Sequence, residues 1–504
     1  MLGMIQVTNA RKGAGKTKGI RLKSGLRKPS ENRPRLGLQT RDEGGLKPAS
    51  GEGFDWPVAA GAEALLRARV DGFLKRNGFG LQLARRMREE TGTDFFEWID
   101  HLVLPREDQA ALEAAGFTRE RGVETAGEDL VYAHPRASLP RVLLRGRQGQ
   151  ELSAVALKPE SITAFMAAHS VAEEPEGEPW SRYRRVVVAR ESGTALEAVE
   201  RRAYRGFVAA PLAEGELKAR VKARELWQTR PRRFEDAAEG FRVARRVLGR
   251  VLELAGRDVG CELFFEAERA HWESRNRAAR IQKHRQDRLG LGWGNHDHHT
   301  FRCSRERFAE VVEFLAGLGF EKRERFYAGA EAGWGAQVLE QPVTGVVVFA
   351  DVDLTPEETE IDFSAAALPA SSRLGTVGLW VELHGESLLE AGLHHVEARF
   401  EFDALREQLK ASGVEMMKPF SDFAFLRQAF TEGERWAVSR ARAERLKSAG
   451  LITAEQCERF VREGALGSHL ENLQRHGGFK GFNQKAVSAV IAATDPRGYV
   501  MRGA

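Results

Sequence analysis

The residues Asp297-His298-His299-Thr300-Phe301-Arg302 begin a pattern from which the fold can be predicted. They are typical of a short strand, and a helix is predicted from about Ser304 because apolar residues recur at helical spacing through residues 308–315. Gly319-Phe320 should end this helix, since glycine supplies the left-handed residue found at many helix C-termini. Strand-like stretches follow within residues 337–350. The unit is therefore a strand, a helix and further strands.

The same pattern occurs at two other places in the chain. Residues 98–104, which include His101, lead to a predicted helix that ends near Gly116-Phe117. Residues 394–400, His-His-Val-Glu-Ala-Arg-Phe, lead to a helix capped by Asp403. A β-α-β-β(-β) unit of this size cannot cover its own sheet, so two units should pair around a shared, cupped sheet. We therefore predict an α+β fold of tandem repeats with helical additions.

Histidines and arginines share strand faces in two of these repeats. Because side chains alternate between the faces of a strand, His298 lies with Arg302, and His395 lies with Arg399. Two His-x-x-x-Arg strands in equivalent positions favour metal binding by both histidines, although a single strand histidine is more often structural. If a strand register were off by one, the ligands would be drawn from His296, His299 and His394.

A metal held by two histidines needs an acidic ligand as well. Two histidines and one carboxylate leave open positions at which iron(II) can chelate a 2-oxo acid and still accept dioxygen. The candidate acids are Glu397 and Glu471.

Four short motifs, in this order within residues 290–495, make the chain resemble the non-haem iron 2-oxoadipate dioxygenase/decarboxylase family of the vicinal-oxygen-chelate group. They are D-H-x-x-[IF]-R at 297–302, N/H-H-x-x-x-R at 394–399, L-R-Q at 426–428, and E-x-x-[EQ]-R at 471–475 with Gly478-Phe479 following. The chain departs from the family pattern at His299, which replaces a small residue, and at Glu397, where a small or polar residue is usual. The first repeat has no counterpart in the family.

The resemblance implies a set of site residues. The metal ligands would be His298, His395 and Glu471, binding Fe(2+), and Arg302 would clamp the substrate. The remaining residues expected to bind substrate are Arg399, Arg427, Gln428 and Asn483.

The resemblance also implies an activity. The enzyme would use dioxygen to decarboxylate and hydroxylate a 2-oxo dicarboxylic acid such as 2-oxoadipate, giving 2-hydroxyglutarate and carbon dioxide in lysine catabolism. Two alternatives stay open at this point. One is a zinc, nickel or manganese lyase or isomerase of the same group, and the other is a non-catalytic protein that binds a small acid or a partner.

The charge of the chain is unevenly distributed. Residues 1–50 contain 12 Lys/Arg and 3 Asp/Glu, which leaves 65 basic and 69 acidic residues for the rest of the 504-residue chain. The part expected to fold is therefore slightly acidic, and we predict no specific nucleic-acid partner. The chain lacks an apolar run long enough for a membrane span or a secretory signal, so we expect a cytoplasmic protein.

These observations divide the chain into four predicted segments. Residues 1–55 are a basic tail expected to be disordered. Residues 56–225 are an N-terminal α/β module with a degenerate repeat, and residues 226–290 are a helical connecting segment. Residues 291–504 are the metal-binding catalytic domain with C-terminal helices.

Overall fold

Two β-sheets form the framework of the protein in this computed structural model, which describes residues 56–145, 153–371, 373–483 and 494–498. The predicted disordered tail, residues 1–55, lies outside the described residues.

The first sheet, here the N-terminal sheet, has seven strands. They are β1 (Ile99–Pro105), β2 (Thr118–Glu120), β3 (Leu130–Ala133), β4 (Arg141–Arg145), β5 (Ser153–Leu157), β6 (Tyr183–Glu191) and β7 (Thr194–Arg201). Their order across the sheet is β2-β3-β4-β1-β5-β7-β6.

The second sheet, here the C-terminal sheet, has nine strands. They are β8 (His296–Arg302), β9 (Glu321–Tyr327), β10 (Trp334–Glu340), β11 (Val347–Asp353), β12 (His395–Arg399), β13 (Ser421–Phe423), β14 (Leu426–Phe430), β15 (Glu434–Trp436) and β16 (Ala465–Arg475). The order is β13-β14-β16-β12-β8-β11-β10-β9, and β15 pairs with β16.

Helices connect and cover the two sheets. The α-helices are α1 (Ala60–Leu74), α2 (Gly78–Arg86), α3 (Gln109–Ala114), α4 (Ile162–His169), α5 (Glu216–Gln228), α6 (Ala237–Ser274), α7 (Arg277–Asp287), α8 (Phe308–Gly317), α9 (Thr376–His384), α10 (Phe402–Ala411), α11 (Arg440–Ser448) and α12 (Ala454–Glu463). Short 3-10 helices cover Phe95–Trp98, Arg106–Asp108 and Pro356–Glu360, and a π-helical turn covers Met87–Thr91. No helix of the described residues is long and apolar enough to cross a membrane.

Each sheet is built from two units of the predicted kind. In the C-terminal sheet, β8-α8-β9-β10-β11 forms one unit and β12-α10-β13-β14-β16 forms the other. The first strands of the two units, β8 and β12, pair antiparallel at the centre of the sheet. In each unit the first and last strands are parallel neighbours. The predicted α+β fold of paired repeats is therefore confirmed.

The N-terminal sheet contains one unit more than the sequence pattern indicated. The predicted first repeat is β1-α3-β2-β3-β4, and a further unit, β5-α4-β6-β7, pairs with it through β1 and β5. The sequence pattern alone would place the strand-like stretch at residues 185–188 in the first repeat, but it lies in β6 of this further unit. The described chain thus contains four units rather than three.

The long helix α6 lies within the hydrophobic core. Phe264 and Phe265 pack with Phe301 of β8 in a large cluster that also contains residues of α8 and β11. Gly256 interrupts α6 with a left-handed φ of 74°, a conformation that glycine adopts without steric cost. The segment at 226–290, expected to connect or to pack, therefore packs against the face of the C-terminal sheet opposite the histidine site.

Candidate metal centre

Three side chains from neighbouring strands converge at the centre of the C-terminal sheet. His298 lies on β8, His395 on β12 and Glu471 on β16. All three are buried, and each offers a ligand atom within 4.8 Å of those of the other two. Glu471 Oε2 lies 3.1 Å from His395 Nε2 and 4.0 Å from His298 Nε2. This spacing suits one cation bound by all three side chains. We call this face of the sheet the C-terminal cup.

The ring of His298 has different neighbours at its two nitrogens. Its Nδ1 contacts Glu397 and lies 3.5 Å from Asp297 Oδ2, while its Nε2 faces Glu471. A carboxylate at Nδ1 fixes the orientation of an imidazole and leaves Nε2 available for a metal. Asp297, His298 and Glu397 form a second group with metal-ligand spacing, and both groups share His298. A third such group, on α11 and α12, includes the exposed Glu458.

Two carboxylates lie side by side in this buried site. Gln428 on β14 donates a hydrogen bond from Nε2 to Glu397 Oε1 and another to Glu471 Oε1, each at 3.1 Å. Burial and the charge of Glu471 raise the pKa of Glu397 to about 8. Burial also raises the pKa of Glu471 to about 8. A divalent cation held by Glu471 and the two histidines would favour the ionised forms of both acids. The donor set therefore fits a metal ion.

A phenylalanine, Phe349, occupies the position in the first unit of the sheet that corresponds to Glu471 in the second unit. Thr300 on β8 is opposite Phe349 on β11, just as Glu397 on β12 is opposite Glu471 on β16. Phe349 is thus the counterpart of Glu471, and its ring packs 4.5 Å from the ring of His298, measured between centroids. Because phenylalanine cannot bind a metal, the described residues offer no further ligand at this position.

Arg302 lies further along the same face of β8 as His298. Its side chain is 1% exposed, and its Nε and Nη1 have no hydrogen-bond partner among the described residues. Burial lowers its pKa to about 10. Asp351, the neighbour of Arg302 on β11, is also buried, and burial raises the pKa of Asp351 to about 8. A buried guanidinium with free N–H groups is suited to an anionic ligand group.

Other predicted substrate residues are engaged elsewhere. Arg399 donates from Nε to Asp297 Oδ1 at 2.7 Å and from Nη2 to Ser138 Oγ of the N-terminal half at 2.7 Å. Arg427 is partly exposed and pairs with Asp403 at 2.7 Å.

The remaining two predicted substrate residues lie close to the cup. Gln428 is buried within it. Asn483 lies near Phe420, with its Nδ2 3.4 Å from the backbone oxygen. Its neighbour Phe482 packs against Phe349, with ring centroids 5.1 Å apart. The structure therefore brings Gln428, and the chain around Asn483, to the metal centre.

Of the flanking histidines, His296 and His299 contact groups outside the metal centre, whereas His394 Nδ1 lies 2.9 Å from His395 Nδ1. His299 lies in the helical core, with its ring against Phe265 and its Nε2 3.4 Å from Arg269 Nη1. His296 Nδ1 lies 2.9 Å from the backbone oxygen of Trp293. The register that presents His298 and His395 is therefore the one that the structure adopts.

Sequence reasoning did not single out Phe349 and Asp351. Their strand was predicted at residues 345–350, and alternation places the two side chains on one face. Their register against β8, however, follows from sheet pairing, which no local pattern reveals.

No family model and no curated protein matches the chain. Among solved structures, it is similar to a mutant of 4-hydroxymandelate synthase from Streptomyces coelicolor, with 11% identity over 79% of this chain and 98% of that one, at a TM-score of 0.26. A xylose isomerase-like TIM barrel/4-hydroxyphenylpyruvate dioxygenase fusion protein matches with 12% identity over 82% of this chain and 56% of that one, at a TM-score of 0.22. Methylmalonyl-CoA epimerase from Mycobacterium tuberculosis matches with 13% identity over 36% of this chain and 88% of that one, at a TM-score of 0.21. At these TM-scores the likenesses carry no argument about activity.

Proposed function

We propose that the protein is a non-haem iron(II) dioxygenase that decarboxylates and hydroxylates a 2-oxo dicarboxylic acid. The observation that carries this proposal is the convergence of His298, His395 and Glu471 on one cation site. The residue that corresponds to Glu471 in the other unit is Phe349. A facial set of two histidines and one carboxylate with an open side is the pattern of iron(II) oxygenases. When bound, iron(II) would supply chelation of the 2-oxo acid and activation of dioxygen.

The substrate class follows from the charge of the cup. The free N–H groups of Arg302 would bind a carboxylate. Arg302 lies four residues along the strand from His298, a distance of about 13 Å between Cα atoms. A substrate chelated at the metal would therefore reach the guanidinium with a second carboxylate several carbons away. This arrangement supports a 2-oxoadipate-like acid.

The reaction balances without a further reductant. One 2-oxoadipate and one dioxygen give one 2-hydroxyglutarate and one carbon dioxide, because loss of the carboxyl group supplies two electrons and hydroxylation of the shortened acid supplies the other two. In this reaction Gln428 would hold Glu471 in place, and Arg302 would orient the chain of the substrate. The rings of Phe349 and Phe482 would exclude water from one side of the site.

Oxygen consumption tests this proposal. The protein, loaded anaerobically with ferrous iron, is given a panel of 2-oxo acids, and the products are identified by mass spectrometry. We expect oxygen uptake that depends on a 2-oxo dicarboxylic acid and that is lost in His395→Ala. Absence of substrate-dependent uptake, or uptake that persists in His395→Ala, would overturn the proposal.

One observation favours a second candidate, a metal-dependent lyase or isomerase. Glu397 is fully buried beside His298 and could accept a proton from a metal-bound substrate. Such an enzyme would be active without oxygen and with zinc, nickel or manganese. Substrate turnover under anaerobic conditions with these metals would therefore favour the lyase or isomerase over the dioxygenase.

A further inference from the structure

The N-terminal sheet repeats the strand register of the metal centre. His101 on β1 is opposite Ala156 on β5, just as His298 on β8 is opposite Glu397 on β12. Both pairings are irregular at the residue before the histidine, which is Asp100 in one sheet and Asp297 in the other. The two sheets can therefore be compared residue by residue.

An ion pair beside the site occurs in both sheets. Arg201 Nε lies 2.8 Å from Asp100 Oδ1 in the N-terminal sheet. Arg475 Nη2 lies 3.1 Å from Asp297 Oδ2 in the C-terminal sheet. The two arginines are equivalent, since each stands four residues after the glutamate of its last strand. The correspondence thus extends to side-chain contacts.

Two of the three ligand positions are kept in the N-terminal sheet. His101 stands in the place of His298, and Glu197 stands in the place of Glu471 because Ala156 pairs with Glu197 as Glu397 pairs with Glu471. The place of His395 is taken by Ala154, which is opposite Val103 as His395 is opposite Thr300. We call this face of the sheet the N-terminal cup.

The decisive difference lies on the third strand of each cup. Arg185 is opposite Val199 as Gln428 is opposite Leu473, so the two residues are equivalent. Gln428 donates to Glu471 Oε1 at 3.1 Å, and Arg185 donates from Nη1 to Glu197 Oε1 at 3.2 Å. The same carboxylate oxygen is therefore bound by a neutral amide in one cup and by a guanidinium in the other.

The space of the missing histidine is also filled. Phe207 belongs to one hydrophobic cluster with Ala154, and its ring lies 4.9 Å from the ring of His101, measured between centroids. The N-terminal cup is thus filled by an aromatic ring where the C-terminal cup has an imidazole.

We propose that the N-terminal cup is a second copy of the metal centre in which the guanidinium of Arg185 takes the place of the divalent cation. In a cup that has its three ligands and the room for an ion, the charge of the residue at the Gln428/Arg185 position then decides whether metal binds. A guanidinium that binds the glutamate repels a second cation at the same carboxylate oxygen. A neutral amide instead orients the glutamate and leaves its negative charge available to the metal ion. The chain accordingly binds one metal ion. This inference rests on the proposed metal centre of the C-terminal cup.

Exchange of the two residues tests the inference. Cobalt(II) is titrated into the full chain, and the stoichiometry is read from calorimetry and from the visible absorption of the bound ion. The wild-type chain should bind one cobalt ion. Gln428→Arg should bind none, while the neutral variant Gln428→Met should still bind one. Thermal unfolding reports that each variant is folded.

The reverse exchange builds a site in the N-terminal cup. Ala154→His supplies the missing ligand, Arg185→Gln removes the guanidinium, and Phe207→Ala makes room. Combined with His395→Ala, which removes the native site, these substitutions should restore binding of one cobalt ion. A folded quadruple variant that binds none would overturn the inference.

The outcomes separate this inference from the proposed function. A wild-type chain that binds no cobalt would overturn the metal centre and the inference with it. A wild-type chain that binds one ion, together with Gln428→Arg that binds it equally well, would overturn the inference alone. If the quadruple variant does not fold, the comparison of Gln428→Arg with Gln428→Met decides.

Discussion

Arg302 combines a structural cost with a binding role. Its buried guanidinium has two nitrogens without hydrogen-bond partners among the described residues; its Cζ lies 5.7 Å from the ring of Trp380, and Asp351 is its neighbour on β11. A buried charge without a close partner destabilises a fold. Such a residue is retained where function requires it, which is consistent with the clamping role that the sequence resemblance implies.

Arg302→Met should therefore stabilise the protein and weaken substrate binding. We expect the free energy of unfolding to rise by about 1–3 kcal/mol, because an apolar side chain replaces an unpaired charge. The KM for the dicarboxylic 2-oxo acid should rise about 10- to 100-fold, which corresponds to loss of charged hydrogen bonds. Thermal unfolding and steady-state kinetics measure the two effects.

A half-buried arginine with partners provides the control. Arg323 is paired with Glu324 at 2.7 Å and with Glu340 at 3.1 Å. Arg323→Met should lower the melting temperature, since it leaves Glu324 buried without its partner. If Arg302→Met were as destabilising as Arg323→Met, our interpretation of Arg302 would be wrong.

Glu397 should act on the metal through His298 and Gln428. It contacts the Nδ1 of His298 and accepts a hydrogen bond from Gln428, and it is fully buried. Loss of such a partner typically lowers metal affinity 10- to 100-fold. We therefore expect Glu397→Gln to weaken cobalt(II) binding by about tenfold or more. The exposed Glu407→Gln serves as the control, and equal affinity in both variants would contradict the prediction.

The sequence predicts those residues of the candidate site that belong to short motifs. His298 and His395 stand out because each lies in a His-x-x-x-Arg strand, and Glu471 is the acid that the family resemblance implies. Glu397 was one of two candidate acids, and only the strand pairing places it at Nδ1 of His298. The positions of Arg399 and Arg427 beside acidic partners depend on tertiary contacts that no motif encodes.

At the scale of elements, the sequence pattern revealed three repeats and missed the unit that begins with β5. That strand reads Ser-Ala-Val-Ala-Leu and lacks the histidine that marks the other three. Alanine stands at the positions that correspond to His395 and Glu397. This unit therefore lacks the histidine by which the other three units can be recognised in the sequence. The capping box of α12 is a local feature, because Thr453 and Gln456 satisfy each other's backbone groups within one turn.

The carboxylate of Glu63 links the helix α1 to the C-terminal chain. Glu63 accepts hydrogen bonds from Arg67 at 2.6 Å and from the backbone of Gly478 at 3.0 Å. Burial alone would raise the pKa of Glu63, but His476 and Arg67 lower it to about 2. Glu63 thus joins the first helix to the segment that follows β16.

Glu63 should make stability depend on pH in the acid range. A carboxyl whose pKa is lower in the folded protein stabilises it above the ordinary value of 4.5, and that stabilisation is lost as the pH falls towards 2. The shift corresponds to at most about 3 kcal/mol. Glu63→Gln should therefore lower the melting temperature at pH 7, and the difference from wild type should shrink between pH 5 and pH 2. A difference that stays constant over this range would contradict the assignment.

At the scale of the whole molecule, the predicted boundary at residue 291 cuts through a core. Phe264 of α6 packs against Phe314 of α8, with ring centroids 5.3 Å apart, and Phe265 packs against Phe320 at 5.6 Å. The burial of each such ring contributes several kcal/mol, on the order of 4–6 at 25 cal/mol per Å².

A chain that begins at residue 291 should therefore fail to fold. It would expose the apolar face of the C-terminal sheet that α6 covers, and we expect it to be insoluble when expressed. A chain that begins at residue 56 retains all the described elements and should remain soluble. The two truncated chains are compared by solubility and circular dichroism. A folded, soluble 291–504 chain would contradict the conclusion that α6 is part of the core of the C-terminal sheet.

The unequal halves of the C-terminal cup have a stereochemical consequence. Glu471 stands on one side of the pseudo-twofold axis between β8 and β12, and Phe349 stands on the other. A planar reacting carbon held between a polar wall and an aromatic wall presents only one of its prochiral faces to the metal. The hydroxy acid should therefore form as a single enantiomer, and chromatography on a chiral column would reveal it.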